Sequence, residues 1–456
     1  MKFKELSKYL EKLEGTASRN EMTEILSEVF KKTFKKETEK TVNLLLGQLA
    51  PSYEAVVFNI AERMMIQALA KAYSVDPKEA KGLYKQKGDL GDAAEELAGG
   101  KGKDLSVGDV YDRLLVTAKE EGEGSQERKI TKMAELLSDL EPLSARYVAR
   151  IPVGKLRLGF SDMTILDALS YMLKGDKSAR NQLEHAFNVT ADIGKIAAKV
   201  KDKGLKNIKD VAAEAGTPIR PSLAERLPSA EKIIEKVGEK VAIEPKYDGF
   251  RTQVHVFKEG GEKKVQIFSR NLDNTTHMFP ELVEAVKKLK VDSAIFDGEA
   301  IAYDEKKDEF LSFQKTVQRK RKHGIEEAAA KYPLILFLFD ILYKDGKTLL
   351  KTKFSKRREI LEKVVKDHEN GTVRVTEQNI VEDPDTIRNL ITEYLEEGLE
   401  GGMVKKIDAE YKAGGRGYHW VKYKKTTQKE LADTIDCVVM GTYKGRGKRA
   451  KFGVGA

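Results

Sequence analysis

Over the first 215 residues apolar side chains recur every third or fourth position, as in Glu21–Phe34 (EMTEILSEVFKKTF), Ala55–Tyr73 (AVVFNIAERMMIQALAKAY) and Arg128–Leu140 (RKITKMAELLSDL). That period places the apolar residues on one face of a helix, so each stretch predicts an amphipathic α-helix with one buried stripe. Glycine clusters at Ala98–Lys103 and Glu120–Gln126 supply the turns between helices. The pattern ends near Glu214–Pro228, where Pro218, Pro221 and Pro228 crowd together and predict a linker. Beyond it the period shortens to that of strands in Val241–Tyr247, Arg251–Phe257, Lys264–Ser269, Ser293–Tyr303 and Leu334–Leu342, with short helices between them.

These textures predict a multidomain chain. Residues 1–215 form an all-α domain, and residues 216–428 form an α+β domain with antiparallel sheets. Residues 429–456 read as two strands around a basic, glycine-rich turn. Two strands are too few to stand alone, so the chain is expected to be cut short there or to pair its end with something else.

Composition narrows the class. With 456 residues, core volume is not limiting and two to four domains are expected. Lysine and arginine number 82 against 73 acidic residues, leaving net +9, which permits an anionic partner without proving one. Cys437 is the only cysteine, so a disulfide framework and a cysteine zinc site are excluded and an intracellular location is expected. The opening MKFKELSKYLEKLEG is a charged amphipathic stretch rather than a signal peptide, and no apolar run reaches the roughly 20 residues of a membrane span.

The candidate chemistry centres on Ile243–Arg251, IEPKYDGFR. An ammonium ion is no nucleophile, so covalent chemistry by Lys246 requires burial or nearby cations to lower its pKa. From this stretch alone a lysine beside an ordinary Asp-Gly turn is the favoured reading. Downstream, however, stand FSRN (Phe268–Asn271), FDGE (Phe296–Glu299), FLFD (Phe337–Asp340), EGGMVK (Glu400–Lys405) and WVKYKK (Trp420–Lys425).

This ordered set resembles the covalent nucleotidyltransferase superfamily of ATP-dependent DNA ligases, RNA ligases and mRNA capping enzymes. The resemblance implies that Lys246 attacks the α-phosphate of ATP and carries AMP. It also implies nucleotide contacts from Glu244, Arg251, Arg270, Glu299, Phe339, Arg416, Lys422 and Lys424, with Phe339 stacking on adenine and Glu244 helping to select it. Glu299 and Glu400 are the implied ligands of Mg²⁺ or Mn²⁺. Lys422 and Lys424, two apart on a strand, suit the charge that builds on phosphoryl oxygens in transit.

The branch is set by the helical half. Glu121–Ile130 and Ser144–Ser170 (SARYVARIPVGKLRLGFSDMTILDALS) resemble the DNA-binding domain of archaeal and eukaryotic ATP-dependent DNA ligases, and Gly216–Ala224 its link to the adenylation domain. Arg146 and Arg150, with Lys155 and Arg157 at a glycine-flanked turn, are expected to grip phosphates without reading sequence. The basic runs Gln318–Gly324 and Tyr443–Lys451 could also face DNA or simply be solvated surface. The resemblance implies nick sealing in replication, repair and recombination by a monomer acting on nicked duplex DNA near the nucleoid. RNA ligation, a capping-type guanylyl transfer, or weak DNA binding without catalysis stand as alternatives. It further implies that residues 429–456 begin an OB-fold whose remainder is missing, so that this chain should load its lysine poorly. No Gln-plus-aromatic clamp-docking signature appears near Gly99–Asp104, which leaves a sliding clamp open as a partner.

Overall fold

A computed structural model describes residues 1–424, apart from 210, 305, 308, 322 and 367–370. The segment read as the beginning of an OB-fold, 429–456, lies outside the described residues.

The first half is helical throughout, from Phe3–Glu14 to Ile193–Lys203. Several of its helices start where a side chain can accept a free amide: Ser18 accepts from the Glu21 N–H, and Ser106 and Asp109 close a reciprocal capping box on Val107–Ala118. Phe3, Leu6, Leu10 and Leu13 line the inner stripe of the first helix and join one continuous apolar core. One predicted helix is shorter than its pattern. Ala55–Tyr73 is helical only over Glu62–Tyr73, because Ala55 and Asn59 take left-handed φ values of 55° and 50° and the chain before Glu62 is irregular. The buried Lys129 ammonium donates to the Phe58 carbonyl at 2.7 Å, supplying a partner that a helix would otherwise have given.

The second half contains two sheets. The strands are β1 (Leu223–Arg226), β2 (Val241–Pro245), β3 (Phe250–Glu259), β4 (Glu262–Ser269), β5 (Ala294–Asp304), β6 (Glu309–Phe310), β7 (Leu334–Lys344), β8 (Lys347–Thr348), β9 (Val373–Val375), β10 (Asn379–Val381), β11 (Gly401–Lys406) and β12 (Arg416–Lys424). One sheet runs β1-β12-β11-β2-β10 and the other β4-β3-β5-β7-β8, with β6 on β5 and β9 on β7. Pairing is antiparallel except for β1 on β12 and β9 on β7. Each of the five strands predicted between Val241 and Leu342 is present, while the two predicted within 429–456 lie outside the described residues. In addition, part of the proline-rich linker is a strand: Leu223–Arg226 adds to β12, which draws the junction between the two halves into the sheet.

An apolar cluster containing Ile243, Val404 and Val421 from one sheet, and Ile301, Ile335 and Phe337 from the other, joins the two layers. The halves also touch. Phe187 lies 4.7 Å under the Arg220 guanidinium, Asn188 accepts from the Arg220 N–H, and Tyr53 meets Phe268 edge-on at 6.4 Å.

Candidate active site

Between the sheets lies a cavity of about 440 Å³, lined by Glu244, Lys246, Arg251, Arg270, Glu299, Phe339, Glu400, Arg416, Lys422 and Lys424, among others. Every residue that the sequence motifs nominated for the nucleotide or metal therefore reaches one space, although they are spread over about 180 positions of chain. The register explains the convergence. Glu244 on β2, Met403 on β11 and Lys422 on β12 are direct neighbours in a row across the first sheet, so all three project to the same face. Arg251 on β3 stands opposite Glu299 on β5 in the second sheet.

Lys246 leaves the end of β2 and is fixed by its backbone, donating to the Gly401 carbonyl at 2.9 Å and accepting from the Glu400 N–H at 3.0 Å. Its ammonium is ion-paired with Glu400, which also pairs with Lys424. The Lys246 pKa is pushed below the ordinary lysine range. Burial is the main cause, opposed by Glu299 and Asp248 and assisted by Arg270 and Arg251. The turn that presents it tolerates only glycine at 249, because a Cβ there would lie 2.3 Å from the Ala300 carbonyl oxygen. These features distinguish Lys246 from a surface turn lysine.

Cations dominate the rim. Burial lowers the Lys422 pKa, and Arg416, Lys246, Arg270 and Arg226 lower it further, which is the signature of positive charges gathered without enough local acid. Burial also lowers the Lys424 pKa, with Lys246 next in effect. Such a cluster suits an anion with several negative oxygens. Arg251 is instead restrained: it forks onto Asp297 at 2.6 and 3.1 Å and donates to the Ser222 carbonyl at 2.6 Å. Its guanidinium lies 5.3 Å from the centre of Trp420 and 5.8 Å from that of Phe339.

The pKa of Glu299 is pushed up to about 7 by burial, against the pull of Lys246 and Arg251. Glu299 and Glu400 could hold a divalent cation. The described residues contain no cluster of three or more His, Cys, Asp or Glu side chains able to bind a metal alone. Two carboxylates are a donor set that suits Mg²⁺, which usually takes one or two and completes its shell with water and substrate phosphates.

Phe339 sits half-exposed on the cavity wall, whereas Phe337 is buried and stacks on Tyr247 at 4.1 Å. The difference comes from a bulge. Asp297 pairs with Asp340 and Gly298 with Leu338, which leaves Phe339 without a counterpart on β5. Phe313, Thr376, Met403 and Lys405 also line the cavity and had not been nominated from the sequence, and Lys320, of the basic run Gln318–Gly324, lines it too. Lys405 carried a weak signal, a lysine inside the otherwise small and apolar GGMVK stretch of a strand.

In the helical half the expected phosphate grip divides. Arg150 does not present itself to solvent: its side chain is 5% exposed and is ion-paired with Glu14, Asp89 and Asp92 at 2.8 to 3.0 Å. This corrects the expectation for Arg150, because its donors are spent inside the domain. Arg146 is similarly engaged, with Glu14, Asp92 and Glu95 at 3.2 to 3.3 Å. Lys155 pairs with Glu62, and Arg157 is exposed at a left-handed φ of 48°.

Comparison with known proteins gives this geometry its class, that of lysine nucleotidyltransferases acting on DNA. Residues 221–424 match the family described as "ATP dependent DNA ligase domain", and residues 2–170 match "DNA ligase N terminus". The chain is 45% identical over 457 residues to a "Probable DNA ligase" of Dictyoglomus turgidum, aligning 100% of its own length with 77% of that protein's. It is 41% identical to "DNA ligase 2" of Thermofilum pendens, over 98% of this chain and 76% of that protein. The chain belongs to the ATP-dependent DNA ligases. A solved structure titled "Pmar-Lig_Pre." covers 92% of the chain with a TM-score of 0.54 at 18% identity, a likeness of fold. The chain thus uses ATP to seal nicks in DNA. No helix among the described residues is long and apolar enough to cross a membrane.

Proposed function

We propose that Lys246 is the nucleophile of this ligase and that the cavity between the two sheets seats the nucleotide. The observation that carries the reading is a half-buried lysine of lowered pKa in a cavity where cations gather. The free amine of Lys246 attacks the α-phosphorus of ATP, forming a P–N bond as the bond to pyrophosphate breaks. AMP then passes to the 5′-phosphate at a nick, and the neighbouring 3′-hydroxyl attacks that phosphate and expels AMP. Lys422, Lys424, Arg416 and Arg270 offset charge on the phosphoryl oxygens, while Phe339 offers a face for the base and Glu244 a carboxylate for its edge.

Glu299 and Glu400 would hold Mg²⁺ or Mn²⁺, which neutralises triphosphate charge when bound. Residues 1–215 act as the DNA-binding domain and 216–428 as the adenylation domain. Arg157, exposed beside Lys155, is the best placed of the four basic candidates to meet a phosphate. Incubation with α-labelled ATP and Mg²⁺ tests the reading: label should become bound to the wild-type chain in an acid-labile linkage and be absent from Lys246→Arg. Label on that variant would overturn it.

A further inference from the structure

In the cavity wall lies a lysine that the reaction scheme does not use. Lys405 is 1% exposed, yet its Nζ meets five groups at once. It is 2.5 Å from a Glu244 carboxylate oxygen and donates to the Phe339 carbonyl at 3.3 Å. It also lies 4.6 Å from the centre of the Phe339 ring, 4.7 Å from Trp420 and 4.8 Å from Phe354. The carbonyl it engages belongs to the bulged residue that has no counterpart on β5. The other Glu244 oxygen accepts from the Gln378 side chain at 2.9 Å.

Burying an ammonium this deeply is costly unless its partners are fixed, and the arrangement in turn fixes those partners. Here they are the two groups read above as touching the base, one ring and one carboxylate, carried on different sheets. We infer that Lys405 is a positioning residue for base selection: by bridging Glu244 to the Phe339 bulge it holds an acceptor-only carboxylate at a set distance from the stacking ring, favouring purines with a 6-amino donor. A 6-oxo purine would face the carboxylate with a second acceptor, and an unsubstituted purine would leave it without a donor. The inference rests on the nucleotide site proposed above.

Trp420 is the only tryptophan in the sequence and belongs to the same cage, so its fluorescence reports on the site without catalysis. The full chain is titrated with ATP, with GTP and with purine riboside triphosphate, which lacks the 6-amino group. Wild type should bind ATP about tenfold or more tighter than the unsubstituted analogue. Lys405→Met should weaken ATP binding while leaving the analogue nearly unchanged, so that the ratio approaches one. Gln378→Leu, at a half-buried position that is safer for folding, should move the ratio the same way by a smaller factor. Equal weakening of both nucleotides in Lys405→Met, or an unchanged ratio in Gln378→Leu, would overturn the inference and leave the nucleotide site standing. Absence of any ATP response in wild type would instead sink the site.

Discussion

Two clusters of basic residues in this chain have opposite charge balances. Around Arg150 in the helical half, Glu14, Asp89 and Asp92 surround one guanidinium, and Arg146 beside it is met by Glu14, Asp92 and Glu95. Around Lys422 in the cavity the neighbours that matter electrostatically are Arg416, Lys246, Arg270 and Arg226, all cations. The first arrangement is complete without a ligand and ties helices together. The second gathers cations on a cavity wall and suits an anionic ligand. Sequence proximity of basic residues does not separate the two cases, whereas the carboxylates brought by the fold do.

This contrast can be broken by experiment. The largest effect is expected from Lys246→Arg, which should abolish formation of the AMP adduct in a labelled-ATP assay while leaving thermal stability near that of wild type. Next, Lys422→Ala should slow adduct formation by about 10²-fold, the scale of losing one preorganised stabiliser of transition-state charge. A stability loss of equal weight without loss of rate would place Lys422 with the scaffold. Arg150→Ala should do the reverse. Chemical denaturation should show a loss of about 3 kcal/mol, because three carboxylates lose their buried partner, while the adduct rate per folded molecule stays unchanged.

A smaller effect concerns His255, whose pKa burial pushes down to about 3 from an ordinary 6.5. The neutral ring accepts from the Gly216 N–H at 3.0 Å and lies 2.9 Å from the Gln253 amide oxygen. The unfolded chain takes up this proton near pH 6.5 and the folded chain does not until about pH 3. The contribution of His255 is therefore whole above pH 6.5 and is lost as pH falls from there towards 3. His255→Gln should flatten the fall in stability across that window, and an unchanged slope would remove His255 from the account. The smallest change is expected from Arg157→Ala, which should lower affinity for nicked duplex several-fold and reduce the salt slope of binding by about one ion.

Much of the architecture was legible in the chain. The change of apolar period near the prolines separated helices from sheets, and the five segments read as strands between Val241 and Leu342 became β2, β3, β4, β5 and β7. What escaped were features set by distant partners. Leu223–Arg226 became a strand because β12 offers it an edge, and Ala55–Ala61 lost its helix to a left-handed residue at each of two positions. Phe337 and Phe339 share the same apolar strand, and only the bulge opposite Gly298 put one in the core and the other on the cavity wall.

By itself, the sequence determined the residue types that the chemistry needs and their order: a lysine before Asp-Gly, two glutamates, and two lysines spaced for one face of a strand. Those follow from local rules of turn and period that hold wherever the segment lies. Tertiary structure alone decided which charges are cancelled. Glu400 meets Lys246 across 154 positions of sequence, Glu244 meets Lys405 diagonally across neighbouring strands, and Arg150 is enclosed by acids from two other segments. An ionic side chain's function depends on its net surroundings, and those are assembled only when the chain has folded.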